Sequence, residues 1–118
     1  MANKIEDRLQ SEIVKWFNNE FCLKFHNPRY LIFSVPNGGT RNKIEAITFK
    51  ATGLLAGVSD LIVVLPNKVY FVELKTEDLQ KSNQSEEQED FQKRVEELGF
   101  EYKLIRTLTE FKEWLKNK

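Results

Sequence analysis

Two apolar segments on either side of a short turn signal constrain this chain more than any other feature. Residues 57–65 and 69–75 are rich in β-branched and aromatic side chains, and Pro66 and Asn67 stand between them. Such a pattern predicts a β-hairpin. A proline followed by an asparagine suits the two central positions of a type I turn, which we therefore expect here.

The predicted hairpin brings acidic residues together. If Leu65 pairs with Lys68, the antiparallel register places Asp60 directly opposite Glu73, with their Cβ atoms about 5 Å apart. Lys75 lies two residues beyond Glu73 and points to the same face. Two carboxylates this close repel each other unless a cation lies between them, and a divalent metal ion can take that place. A register shifted by one residue would separate the two acids.

The residues around these charges favour a functional site. Residues 61–65 are continuously apolar, and Phe71, Val72 and Leu74 surround Glu73. Strands that are apolar on both faces are usually central and buried, and unpaired charge is costly there. The alternative is an exposed salt bridge between Lys75 and one of the acids, which would contribute little to stability.

Length and composition narrow the class of protein. We expect a single domain over residues 1–118, since 41% apolar and 31% charged residues are typical of a globular chain of this length. No apolar stretch reaches the length of a membrane span, and no signal-peptide pattern is present. The single cysteine, Cys22, excludes an internal disulfide and a cysteine-based zinc site. We therefore expect a cytoplasmic protein.

Periodicity and turn signals predict an α/β fold in the order α-β-α-β-β-α-β-α, with a mixed sheet of about four strands flanked by helices. Outside the hairpin the predicted elements are helix Asn3–Cys22, strand Tyr30–Val35, helix Asn42–Thr52, a helix from Ser85 to Gly99, strand Phe100–Arg106 and a helix capped by Thr107 and Glu110. The third helix should bury Phe91, Val95 and Leu98.

Several matching stretches, taken in order, resemble the VRR-NUC (virus-type replication-repair nuclease) family of the PD-(D/E)xK superfamily, especially its small stand-alone phage members. They are Glu6-x-x-Leu9-Gln10, Pro36-Asn37-Gly38-Gly39-x-Arg41, Gly53-x-x-x-Gly57-x-Ser59-Asp60, Phe71-Val72-Glu73-Leu74-Lys75, Ser85-x-x-Gln88 and Gly99-Phe100-x-Tyr102. Ser59 departs from the family pattern, which often has proline at this position. The superfamily's α-β-β-β-α-β core also matches the predicted order of elements.

This resemblance implies a restriction-endonuclease-like core and an endonuclease that hydrolyses DNA phosphodiester bonds with Mg²⁺ or Mn²⁺. Asp60, Glu73, the carbonyl of Leu74 and Glu6 would hold the metal ion. Lys75 would act in the transition state. Glu12 is a second acid beside the apolar face of the first helix, and either glutamate could instead be a flanking surface charge.

The resemblance also places Gln88 at the edge of the site. Its spacing from Ser85 fits a helix capping box equally well. Asn37, Gly38, Arg41 and Lys43 would contact the DNA backbone, although a plain loop is the alternative for this glycine-rich stretch.

Family members commonly act on structured DNA, and many small enzymes of the superfamily are homodimers. We therefore expect branched, junction or flap DNA as the substrate and a homodimer in the host cytoplasm. A restriction or Holliday-resolvase type of nuclease would share the chemistry. A non-catalytic nucleic-acid-binding module is the alternative from another class, and it would be expected to lack Asp60, Glu73 or Lys75, all of which are present.

Overall fold

A mixed four-stranded β-sheet forms the centre of the molecule in the computed structural model, which describes residues 4–36, 51–75 and 84–118. In spatial order the strands are β1 (Leu31–Ser34), β2 (Leu61–Leu65), β3 (Lys68–Leu74) and β4 (Glu101–Ile105). The β1–β2 and β2–β3 pairs are antiparallel, and β4 runs parallel to β3. The mixed sheet with flanking helices confirms the predicted α/β class.

The helices of the described regions are α1 (Lys4–Asn19), α2 (Glu86–Glu97) and α3 (Leu108–Lys116). The first is shorter than predicted, because the chain tightens into a 3₁₀ turn at Phe21–Leu23. The predicted helix from Asn42 to Thr52 lies outside the described residues except at its end, where Ala51 is helical. Within the described regions, no helix has the length and apolar character needed to cross a membrane.

The sheet is covered differently on its two faces. Side chains that alternate along β2 and β3, such as Val63 and Val72, form the main core with Ile13 and Phe17 of α1 and Phe111 of α3. Because side chains alternate between faces along a strand, the residues between them point to the opposite face. That second face lies under α2.

Helix α2 packs on the sheet through aromatic rings that meet edge to face. Phe71 of β3 meets Phe91 of α2 edge to face, with 5.7 Å between the ring centroids. Phe91 in turn meets Tyr102 of β4 at 6.2 Å. Val95 is buried one turn further along α2, but Leu98 is 76% exposed. The prediction for Leu98 is therefore wrong, because α2 has already ended and the chain turns away from the sheet there.

The hairpin has the predicted register but a different turn. Leu65 pairs with Lys68, as expected. Asn67 has a φ angle of 60°, in the left-handed region. A type I turn needs a negative φ at this position, so that prediction is wrong. Proline followed by a left-handed residue is the arrangement of a type II turn, and asparagine tolerates this conformation because its side chain is short and polar.

Gly57 lies where the loop before β2 contacts the first turn of α2. Its φ is 83°, and a Cβ atom at this position would overlap the backbone carbonyl of Glu87. The missing side chain therefore lets two backbones touch. This contact fixes the first turn of α2 against the segment that leads into the hairpin.

Replacement of Gly57 should separate the two backbones. Gly53 is a matched control, because it also has a positive φ of 110° but has open space where a Cβ would stand. We expect Gly53→Ala to lower the free energy of unfolding by about 1 kcal/mol, from backbone strain alone. Gly57→Ala should cost about 3 kcal/mol because overlap is added to strain. Urea unfolding of both variants measures the difference, and equal losses would show that the contact with Glu87 contributes nothing.

Candidate active site

The hairpin register brings the two predicted acids together where the chain enters β2 and leaves β3. The register of the hairpin, continued by one residue, places Asp60 opposite Glu73. The Leu74 backbone N–H donates to Oδ2 of Asp60 at 2.7 Å. The Val35 N–H donates to the Asp60 carbonyl oxygen at 3.0 Å. Asp60 is therefore held by the ends of β1 and β3 at once.

Glu73 is the buried member of the pair, with 2% of the residue exposed. Its Oε2 atom accepts a hydrogen bond of 3.0 Å from Nε2 of Gln88, and the Tyr102 hydroxyl donates to Oε1 at 3.3 Å. Nζ of Lys75 lies 4.0 Å from Oε2, and the Lys75 side chain is 12% exposed. Side chains from α2, from β4 and from the end of β3 itself thus converge on one carboxyl group.

Gln88 makes a capping box with Ser85 and also contacts Glu73, while its role in the reaction stays a prediction. Its side-chain Oε1 atom accepts from the backbone N–H of Ser85 at 2.9 Å. Its backbone N–H donates to the Ser85 hydroxyl at 3.2 Å, and the two bonds form a capping box. Its Nε2 atom is left to donate to Glu73. The cap therefore uses the oxygen of the Gln88 side-chain amide, and the contact with Glu73 uses its nitrogen.

Burial is the largest cause of an unusual titration at Glu73. Together with the Asp60 charge and a hydrogen bond with Asp60, it raises the pKa of Glu73 from 4.5 to about 9, against the opposing effects of Lys75 and Tyr102. Burial and the Glu73 charge also raise the pKa of Tyr102, so that its phenol remains a hydrogen-bond donor. Within the described part of the chain, Lys75 does not offset the cost of two adjacent carboxylates at this position.

Tyr102 and Gln84 are site residues that sequence reasoning missed. Tyr102 stands beside Phe71 in the parallel β3–β4 register, two residues before Glu73 on the neighbouring strand. Gln84 donates to the Tyr102 hydroxyl at 3.1 Å and to Oε1 of Gln92 at 3.0 Å. The signal for Tyr102 was its alternation with Leu104 along the last strand, which puts both on one face of that strand. The register with β3 makes this the face that carries Glu73.

The direction of α1 determines where its acids lie. Gln10 lines a cavity together with Ser34 at the end of β1, and Asn18, in the last turn of α1, accepts a hydrogen bond from Arg29 just before β1. Helix α1 is therefore antiparallel to β1. Its first turn, with Glu6, lies at the end of the sheet where β1 ends and β2 begins, which is the end that carries the acid pair.

Glu6 and the acid pair nevertheless belong to different faces. Helix α1 covers the core face of the sheet, whereas Asp60 and Glu73 point to the face under α2. Glu6 is half-buried and Glu12 is exposed. A contribution of Glu6 to the site would have to pass over the end of the sheet, and its role stays a prediction.

The remaining predicted site residues are placed only in part. Among residues 4–36, 51–75 and 84–118, no three carboxylate, histidine or cysteine side chains form a group that could hold a metal ion. Asn37, Gly38, Arg41 and Lys43 lie outside the described residues. Ser59, which replaces the expected proline, is fully buried, and its hydroxyl donates to the Leu61 carbonyl at 3.3 Å.

The fold has a counterpart among solved structures. No protein-family model and no curated protein matches this chain. A solved structure described as a VRR_NUC domain protein aligns with a TM-score of 0.71, over 99% of this chain and 89% of that chain, at 16% sequence identity. This chain therefore has the fold of a VRR-NUC domain, which confirms the fold that the sequence resemblance implied.

The raised pKa of Glu73 predicts a stability that depends on pH in the presence of EDTA. The folded protein keeps the Glu73 proton up to about pH 9, whereas the unfolded chain releases it near 4.5. The free energy of unfolding should therefore fall as pH rises between these values. Glu73→Gln should flatten this slope, and Glu97→Gln, which changes an exposed glutamate of α2, should leave it as it is. Urea unfolding at several pH values tests this, and equal slopes for the wild type and Glu73→Gln would contradict it.

Proposed function

We propose that this protein is a divalent-metal-dependent DNA endonuclease that hydrolyses phosphodiester bonds in branched, junction or flap DNA. The proposal extends the nuclease-type fold to an activity and a substrate. It includes a cytoplasmic location and a single nuclease domain over residues 1–118, acting as a homodimer.

The observation that carries the proposal is the pair of carboxyl groups at Asp60, which is half-buried, and Glu73, which is buried. A structural ion pair would match the two acids with two cations, but Lys75 is the cation seen beside Glu73, at 4.0 Å. Unneutralised charge at a position that is 2% exposed lowers stability. Proteins retain such an arrangement at functional sites, where a strongly perturbed pKa marks a group that has a chemical task.

The donor set fits Mg²⁺ or Mn²⁺. These ions prefer oxygen ligands and are commonly bound through one or two protein carboxylates, with water and phosphate oxygens completing the shell. Asp60 and Glu73 would be the protein ligands, together with the carbonyl of Leu74 and, over the end of the sheet, Glu6. When bound, such an ion polarises the scissile phosphate and lowers the pKa of a coordinated water.

Lys75 would act on the phosphate group. Its side chain lies on the same face as Glu73 and is 12% exposed, so that its ammonium reaches the site with little competing water. We expect it to balance the negative charge that develops on the phosphate oxygens in the transition state and to orient the attacking water. A positive charge held in place by its surroundings is more effective there than a mobile one.

Gln88 and Tyr102 would position Glu73. They donate to the two different oxygens of its carboxyl group, at 3.0 and 3.3 Å. Two donors on different oxygens restrict rotation of the carboxyl plane, and the orientation of a ligand is part of the strength of a metal site. Asn37, Gly38, Arg41 and Lys43 are proposed to bind the DNA backbone without reading its sequence.

Cleavage assays with paired variants test the metal-dependent activity. We expect the wild type to cut labelled flap or junction DNA with Mg²⁺ or Mn²⁺ and to lose this activity in EDTA. Asp60→Asn and Glu73→Gln should reduce cleavage by orders of magnitude and weaken Mn²⁺ binding in calorimetry. Asp90→Asn and Glu97→Gln are matched controls, because they make the same changes at exposed positions of α2.

Activity that persists in EDTA would overturn the mechanism. A wild type that binds DNA and cuts none of the substrates would identify the protein as a binding module on a nuclease fold.

A comparison of Glu6→Gln with Glu12→Gln tests the contribution of α1. Glu6 lies in the turn nearest the acid pair and is half-buried, whereas Glu12 is exposed and about 9 Å further along the helix. We expect Glu6→Gln to lose most of the cleavage of a flap substrate and to weaken Mn²⁺ binding, and Glu12→Gln to keep most of both. The opposite ranking would mean that a later turn of α1 enters the site.

A further inference from the structure

A second surface lies at the other end of the sheet from the acid pair. A groove of about 280 Å³ runs between the 3₁₀ turn, the turn of the hairpin and the end of α3. We call it the distal groove and define it by Phe25, Tyr30, Pro66, Lys68, Lys116 and Lys118, which are among its lining residues. It combines aromatic rings with lysines, and the proposed cleavage reaction uses none of these residues.

The aromatic part of the distal groove is held in place by its own packing. The rings of Phe25 and Tyr30 are stacked, with centroids 4.9 Å apart and planes at 8° to each other. Phe21 packs against both rings, with its centroid 5.0 Å from that of Phe25 and 6.1 Å from that of Tyr30. Phe25 is 38% exposed. A planar group from outside could therefore extend this stack without rearranging the core.

The charge of the distal groove is positive. Lys68 projects from the turn of the hairpin and Lys116 from the last turn of α3, and both are exposed. Glu101 faces the same region, but Nζ of Lys118 lies 3.0 Å from its carboxylate, and the Trp114 indole N–H donates to it at 2.6 Å. Because Lys118 and Trp114 compensate this acid, Lys68 and Lys116 can attract an anion.

We propose that the distal groove binds single-stranded nucleic acid. The bases would stack on the Phe25–Tyr30 ring pair, and Lys68 and Lys116 would contact the phosphates. Single strands expose the faces of their bases, whereas a duplex hides them, so stacking on protein rings favours the single strand. An acidic peptide would use the lysines but would leave the exposed part of Phe25 without a partner.

This inference rests on the proposed function where it concerns the substrate. The distal groove would hold a single-stranded arm of the branched DNA while the acid pair acts elsewhere on it. From Asp60 to Leu65 the chain advances about 17 Å at 3.3 Å per residue. An extended single strand spans up to about twice the 3.4 Å per nucleotide of a duplex strand, so an arm of one or two nucleotides does not reach from one end to the other, whereas a longer arm does.

Binding without cleavage provides the first test. Fluorescence anisotropy of a labelled oligothymidylate of about 12 nucleotides is measured in EDTA over a series of salt concentrations. Lys68→Gln/Lys116→Gln should bind more weakly and should lower the slope of log K against log salt by about 1.4, or 0.7 for each lost phosphate contact. The control Lys93→Gln/Arg94→Gln removes two charges from exposed positions of α2 and should keep the wild-type slope.

The nature of the ligand is tested with two further probes. A strand of equal length without bases should bind the wild type about tenfold more weakly, because stacking is lost. Polyglutamate should compete poorly with the oligothymidylate. The inference is overturned if the wild type does not bind the oligothymidylate, if both double variants lose affinity equally, if the base-free strand binds as tightly, or if polyglutamate competes as well as DNA.

Flap substrates with arms of about 2 and about 16 nucleotides test the link to cleavage. Lys68→Gln/Lys116→Gln should slow cutting of the long-arm substrate and leave the short-arm substrate at the wild-type rate. Equal slowing on both would overturn the role in holding an arm. A wild type that cuts neither substrate would refute the proposed nuclease activity, and the anisotropy measurements would still decide whether the groove binds single strands.

Discussion

A carboxyl group that is 2% exposed at the end of a central β-strand has to be compensated, because the interior solvates charge far less well than water. Glu73 meets this requirement with a proton or with a cation. Gln88 and Tyr102 donate to its two oxygens, which favours the ionised state, and a hydrogen bond with Asp60 favours the protonated one. The hairpin, the first turn of α2 and β4 are all arranged around this one group, so folding and the proposed chemistry share their contacts.

The short turn explains why the acid pair was predictable from the sequence. In a hairpin with two turn residues the register follows from a single pair, and Leu65 with Lys68 determines the partner of every later residue. The Asp60–Glu73 pairing and the shared face of Lys75 follow from that step. The caps of α2 and α3 could also be predicted from the sequence, because the hydroxyls of Ser85 and Thr107 accept from backbone N–H groups only three residues later.

Contacts between segments that are distant in the chain could not be predicted from the sequence. The register between β3 and β4 is not set by a turn, so nothing local placed Tyr102 near Glu73. The helical wheel of α1 showed which side Glu6 occupies but not which face of the sheet the helix covers. The turn type was missed for a different reason: Pro66-Asn67 fits two turn geometries, and the φ angle of Asn67 decides between them.

The double use of Gln88 restricts how this chain can vary. Glutamate and glutamine are interchangeable at the third position of most capping boxes. Here a glutamate would close the cap and would also set another negative charge against Glu73, while an asparagine is one methylene shorter and would not span both partners. A substitution that is neutral at an ordinary helix start would therefore change the electrostatics of the buried carboxyl group. Attempts to stabilise α2 by optimising its cap have to leave this amide unchanged.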